Sequence, residues 1–410
     1  MQDQSQPQGQ AWIEFDPHDP GFAETGIPFD TLAQIREQRV YRTAAGAWYV
    51  ARHDDVAAVL TDVDAFRADL GPITGIPTGV ETIPAEQHYL SEIAEPRHKA
   101  IRRLITASMS SARLARLEPR LRDVCGRMVE AMIAAPVANL HDDYAMAIPA
   151  FAMAHVMDLD ESAVAHFTAW SWDGTLLQRP SSPGVSSAGP ASHVFFAEYL
   201  AAQRALPEPS NDLLRLLIEA RIDGVPLSDA EIVTQLHFLI QAGVHTTRAL
   251  LTHLYNRLVQ DPALWRTLAD DRGMIDRFVE ESLRRDAPVQ RTTRRCTRHI
   301  DFAGVAMRKG DLVEVGIGSA NHDETRFEEG ASFRLDRPNP RAHLAFGAGS
   351  HICPGAALAR LEARISIEVL LDRVERAEAI AGAVYPPIPG SLGHKPVPAR
   401  LVPRAAAGDI

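Results

Sequence analysis

The chain has 410 residues, a formal net charge of −11 and 46% hydrophobic residues, enough for a large buried core. The acidic balance argues against general nucleic-acid binding. Its three cysteines, Cys125, Cys296 and Cys353, cannot build a disulfide framework and include no C-x-x-C metal pair, which fits a reduced, cytoplasmic setting.

Met1–Gln10 is polar and Gln-rich and is expected to be disordered. It has no apolar signal core, and no stretch of about 20 apolar residues that would span a membrane follows it, so no membrane contact is expected. Trp48-Tyr49-Val50-Ala51 predicts a short strand, and His53-Asp54-Asp55 a helix start. Gly71–Pro84 and Pro180–Pro190, rich in Gly, Pro, Ser and Thr, predict long loops. Such loops serve as lids or binding loops, or are plain mobile surface. His98 and Arg102 stand four apart and would share a helix face.

Ser228-Asp229-Ala230-Glu231 is a capping box. After it, Ile232, Leu236, Leu239, Ile240, Gly243, Leu250, Leu254 and Leu258 recur at spacings of three and four until Asp261-Pro262. This predicts one helix of about 50 Å. Glu281 and Arg284 form an i,i+3 pair on a helix ending before Pro288. Gly304–Gly318 alternates and breaks at glycines, as short strands do, and most of the remainder reads as helix. The fold class is mainly α with small β-sheets.

The densest chemical signal is Phe346-Gly347-Ala348-Gly349-Ser350-His351-Ile352-Cys353-Pro354-Gly355, a glycine-rich loop with one cysteine that runs into a helix-like stretch. A thiolate can serve as the axial ligand of a haem iron. It needs a tight loop to approach the metal, and backbone N–H groups with a helix N-terminus to stabilise its charge. The pattern F-x-x-G-x-x-x-C-x-G resembles the haem-binding signature of the cytochrome P-450 family, and the chain as a whole resembles the bacterial type that lacks a membrane anchor. Cys125 and Cys296 lack such context and read as structural.

The resemblance implies a cytochrome P-450 fold, a single triangular haem domain over residues 11–410 holding haem b, with Cys353 as the iron ligand. Phe346, Gly349 and Gly355 match the loop's motif positions. His98, Arg102, Arg294 and His351 fall where the family binds the haem propionates, with Arg295 a close second to Arg294. Ala242-Gly243-Val244-His245-Thr246-Thr247 resembles the oxygen-binding motif, in which Gly243 lets the helix open and Thr246 supplies the hydroxyl that passes protons. His245 stands where the family carries an acid. An imidazole can shuttle protons near neutral pH. Alternatively it fills space while water delivers protons, or the chemistry tolerates slow protonation. The resemblance implies backbone amides aimed at the sulfur after Cys353, so Pro354 either removes one of those donors and lowers the expected iron potential or merely stiffens the helix start. The Glu281–Arg284 pair is implied to be structural, with Arg337 as third member.

The implied activity is a monooxygenase that inserts one oxygen atom from dioxygen into a hydrophobic or aromatic small molecule, by hydroxylation or dealkylation. Electrons would come from a separate ferredoxin or flavodoxin-like donor, ultimately from NAD(P)H, because no flavin or iron–sulfur motif is present. Arg97, Lys99, Arg103, Arg113, Arg116, Arg360 and Arg364 form the candidate docking patch. Pocket residues are expected at Gly71–Pro84, Phe167–Leu177, Leu239, Ile240 and Val289–Thr293, and Trp170, Trp172 and Phe238 suggest an aromatic ligand or are core. Oxidative C–C or C–N coupling in secondary metabolism is the alternative, motivated by His245. A non-catalytic haem sensor is disfavoured by the retained Thr246.

Overall fold

The computed structural model describes residue 13 and residues 15–19, 21–68, 83–180, 182, 185, 189–209, 212–385 and 395–405. The expected disorder of Met1–Gln10, the body of the Gly71–Pro84 loop and much of Pro180–Pro190 lie outside the described residues. The chain, expected as one haem domain, divides into two compact units whose segments alternate along the sequence. One comprises Met1–Thr82, Glu280–Cys353 and Pro387–Gly390; the other comprises Ile83–Val279, Pro354–Pro386 and Ser391–Ile410. Most described residues are helical, and the sheets are small, as the sequence predicts.

The first unit is built on a five-stranded sheet. Its order is Val40–Arg42, Trp48–Val50, Leu312–Val315, Thr292–Cys296 and Phe66–Arg67. Trp48–Val50 pairs in parallel with Leu312–Val315, and the other pairs are antiparallel. β-Branched and aromatic residues favour these strands. Val50, Val313, Val315 and Phe66 fill the core with Val56, Val59 and Leu60 from the helix His53–Thr61. Of the alternating stretch up to Gly318, Val305–Met307 and Leu312–Val315 are strands, whereas Ile317–Ala320 is a helical turn.

The second unit is helical and centres on Asp229–Gln260, a single helix of 32 residues. Both halves of the predicted capping box are made: Glu231 N donates to Ser228 Oγ at 3.2 Å, and Ser228 N donates to Glu231 Oε2 at 2.8 Å. Asp261 ends the helix and its Oδ1 caps the next one, Pro262–Asp270. The long helix packs against Ala147–Val156, Ala191–Arg204, the π-turn His141–Ala145 and Ala356–Arg373. It is therefore apolar on nearly every side, as a helix at the centre of a large core must be. Ser111–Ala134 and Ala356–Arg373 approach closely at Gly126, where a Cβ would lie 2.6 Å from Arg373 Nη2. Among the described residues, no helix is long and apolar enough to cross a membrane.

Candidate active site

In the first unit, backbone hydrogen bonds fix the loop that ends at Cys353. Cys353 N donates to Phe346 O at 2.8 Å, Gly347 N to Leu344 O at 2.8 Å, and Ile352 N to Gly349 O at 3.2 Å. Gly347 and Gly349 have φ of 73° and 69°, a region open at little cost only to glycine. At Gly349 a Cβ would also lie 2.9 Å from Leu60 O, so the loop lies directly on the end of the helix His53–Thr61. Cys353 and Gly349 are exposed, while Phe346 and His351 are half-buried. The other thiols behave oppositely: burial pushes Cys125 up to about 12 and Cys296 up to about 11. Those two are inert packing groups, whereas Cys353 combines exposure with a rigid loop.

Sheet register separates Arg294 from Arg295. Arg294 lies opposite Val313 on the strand Thr292–Cys296, and alternation buries it on the same face as Cys296. Its Nη1 donates to Thr293 O at 2.8 Å and Thr292 Oγ1 at 3.3 Å. No carboxylate pairs with it among the described residues, and burial pulls its guanidinium down to about 10. A buried cation without an anion needs one from elsewhere. Arg295 is half-buried and, among the described residues, donates to the Gly310 carbonyl.

The predicted Glu281–Arg284–Arg337 trio is formed and wholly buried. Arg284 Nε and Nη2 donate to the two Glu281 carboxylate oxygens at 2.8 Å each, and Arg337 Nε donates to the same carboxylate at 3.1 and 3.2 Å. The remaining guanidinium donors go to backbone carbonyls, among them Asn321, Gly330, Glu328 and Ser332. This network ties the helix Ile275–Arg285 to the chain leading into the cysteine loop.

In the second unit, Arg97–Ala107 carries His98 and Arg102. His98 is buried, its Nδ1 2.8 Å from Glu95 Oε1, and Arg102 is half-exposed. Gly355 is the residue before the helix Ala356–Arg373. On the long helix, Thr246 Oγ1 donates to Ala242 O at 2.7 Å. The helix runs unbroken through Gly243, so the expected opening is not seen there. Gly243 instead admits its neighbour: a Cβ would lie 2.7 Å from Met153 Sδ.

His245 is buried, and neither ring nitrogen has a hydrogen-bond partner among the described residues. Burial, helped by the Arg248 charge, pulls it down to about 4, so the ring is neutral at physiological pH. Of the described residues from Ile232 to Asn256, only Phe238, Ala242, Gly243 and Thr246 are not buried. Phe238, Ala242 and Thr246 stand four apart and form one open stripe. Leu239 and Ile240 are buried, although Leu239 stands four before Gly243 and seven before Thr246 on the same side of the helix. Trp170 is also core, packed with Phe167 and Phe195, whereas Trp172 is exposed.

The basic patch is smaller than its sequence suggests. Arg97 pairs with Glu231, Arg113 with Asp212, and Arg364 with Glu368 and Glu118. Lys99, Arg103 and Arg116 remain exposed. Sequence reasoning missed a buried ring cluster around Tyr89, His193 and His237; its members are scattered along the chain and no spacing signals it.

Each unit by itself carries residues suited to a haem: in the first, an exposed cysteine in a held loop and a buried arginine lacking an anion among the described residues; in the second, a threonine on the open stripe of a long helix. Comparison with known proteins agrees. The cytochrome P450 family model matches residues 194–379. Erythromycin C-12 hydroxylase of Saccharopolyspora erythraea is 32% identical over 365 residues, covering 87% of this chain and 89% of that one. Cytochrome P450 monooxygenase PikC of Streptomyces venezuelae is 31% identical, covering 84% and 83%. Among solved structures, a mutant of P450 EryK in complex with erythromycin B superposes with a TM-score of 0.79 at 30% identity, covering 95% of this chain and all of that one. CYP109Q5 from Chondromyces apiculatus gives 0.80 at 27% identity, covering 95% and 98%. The chain belongs to the cytochrome P450 family, the haem-iron oxidoreductases that act as monooxygenases.

Proposed function

We propose that this protein inserts one oxygen atom from dioxygen into a hydrophobic or aromatic organic molecule, by hydroxylation or dealkylation, in secondary metabolism. The observation that carries the reading is Cys353, exposed on a loop whose backbone is held on both sides. Its relatives named hydroxylase and monooxygenase support it. Haem, when bound, supplies the activation of dioxygen; the protein supplies position and protons.

Cys353 is the iron ligand in this reading, and Phe346, Gly349 and Gly355 shape its loop. Arg294, His351, His98 and Arg102 offer donors to the propionates. Buried Arg294 gains most, because its charge has no other anion. Thr246 commits its own proton to Ala242 O, which leaves its oxygen free to accept another from the open side of the helix. His245 cannot stand as a ready acid at neutral pH, since it is neutral there. A relay through it therefore has to exchange protons between the two nitrogens of a neutral ring. Electrons come from a ferredoxin or flavodoxin-like protein supplied by NAD(P)H, docking where Lys99, Arg103 and Arg116 are exposed.

The same neutral, unpartnered His245 favours a second reading, oxidative C–C or C–N coupling, which tolerates slow proton delivery. Product mass separates the two, by a gain of one oxygen against a loss of two hydrogens. The primary test is the absorption spectrum of the reduced, carbon-monoxide-bound protein. A strongly red-shifted, thiolate-type Soret band is expected and should disappear in Cys353→His; a histidine-type band in the intact wild type would overturn the assignment.

A further inference from the structure

The open stripe on the long helix leads from Thr246 through Ala242 to Phe238, about 12 Å at the helical rise. Beyond Phe238 lies a ladder of rings. Tyr89 stacks on Phe238 with centroids 4.9 Å apart, Tyr89 lies 5.9 Å from His237, and His237 lies 4.4 Å from His193. The ladder joins the segment around Ala85–Glu92, the start of the helix Ala191–Arg204 and the long helix.

Its polar atoms are unusual. Both ring nitrogens of His193, His237 Nε2, Tyr89 Oη, Gln87 Oε1 and Gln235 Oε1 are buried without hydrogen-bond partners among the described residues. Each unpaired buried group costs about 1–3 kcal/mol, and so many in one place call for an explanation. The neighbouring charges pair with each other, since Arg179 Nη2 binds Glu92 Oε1 at 2.5 Å and the guanidinium lies 3.8 Å over the Tyr89 ring, while Arg179 Nε is a further buried donor without a partner among the described residues.

We propose that the Tyr89–His193 cluster is a recognition subsite for an uncharged hydrogen-bonding group, a hydroxyl or amide, at the end of an elongated substrate whose apolar body lies along Phe238 and Ala242. It rests on the haem reading above, which places the reacting end at Thr246. The stripe supplies an apolar face of defined length, and the cluster supplies acceptors and one imidazole donor at its end. The cluster selects against ionic ends. Arg179 already holds the Glu92 carboxylate, so a second carboxylate there would meet that anion. Burial holds His193 down to about 4, so its ring is neutral and cannot receive an anion as imidazolium.

The test uses haem-loaded, full-length protein and tethered imidazoles, whose ring binds the iron and whose tail runs outward. N-Decylimidazole and its ω-hydroxy, ω-carboxy and ω-ammonio analogues are titrated by the Soret shift, with the butyl series as a short control. The ω-hydroxyl is expected to tighten binding about three- to tenfold over the plain decyl tail, as one added hydrogen bond does. The charged ends and the butyl series should show no such gain. His193→Phe and Tyr89→Phe should each erase the hydroxyl preference and leave N-decylimidazole binding within about twofold, because the rings still stack. Equal affinity for the decyl pair in the wild type would overturn the proposal. So would a preference that survives both substitutions, or a preference for the carboxylate, which would assign recognition to Arg179. A Soret shift with N-decylimidazole alone reports the haem reading separately; its absence would overturn both.

Discussion

Two buried polar clusters in this molecule are built on opposite terms. In the Glu281–Arg284–Arg337 trio, both carboxylate oxygens are paired and the guanidiniums are shared out among backbone carbonyls. In the Tyr89–His193 cluster, six buried polar atoms on five residues have no partner among the described residues. The first arrangement has its hydrogen-bonding capacity used up by the fold, and its purpose is to hold the chain in place. The second retains capacity that the fold does not use, which is the condition for binding something else. Burial alone does not distinguish a structural cluster from a functional one; the state of pairing does.

The largest effect that tests this contrast is loss of one trio member. Glu281→Gln should destabilise the protein by about 3–5 kcal/mol, since two buried guanidiniums lose their anion. Urea unfolding measures it, and a cost below about 1 kcal/mol would show that the trio does not hold the fold.

Acid comes next. Burial lowers His193 and His245 to about 4, and His237 well below its ordinary value. The unfolded chain takes up protons near pH 6.5 that these rings refuse, so stability is present in full above that pH and falls as pH drops towards 4. The groups facing these rings are cationic or neutral: Arg179 near His193 and His237, and Arg248 near His245. At pH 5 each ring should cost up to about 2 kcal/mol. Unfolding at pH 7, 6 and 5 checks the slope, and His193→Phe should flatten it; an unchanged slope in that variant would mean His193 is protonated in the folded state.

A smaller effect concerns the helix that carries the open stripe. Gly243→Ile should cost about 1–3 kcal/mol by overpacking against Met153, and much less when made in a Met153→Ala background. An equal cost in both backgrounds would show that the glycine is required by something other than that contact. The smallest expected change makes the sharpest contrast with the trio. His193→Phe should leave stability at pH 7 unchanged or slightly raised, because it removes an unpaired polar ring and keeps the stacking. A loss of more than about 1 kcal/mol would reveal a hydrogen bond to His193 and remove the contrast.

Much of this protein was legible in its sequence because the signals are local. The capping box at Ser228, the three-and-four spacing after it and the stop at Asp261-Pro262 specify the long helix through neighbouring residues alone, and it forms with those bounds. The cysteine loop is equally local, since its glycines set the backbone that brings Cys353 round. Other features required the tertiary structure, because burial and pairing depend on contacts between residues far apart in the chain. The choice of Arg294 over Arg295 follows from strand register against Val313. The pairing of Arg97, Arg113 and Arg364 follows from carboxylates on distant segments. Phe238 rather than Ile240 is left partly uncovered because the elements packed around Asp229–Gln260 cover the Ile240 side. Periodicity states that a helix has a buried side; only the packing of its neighbours decides where the uncovered strip falls.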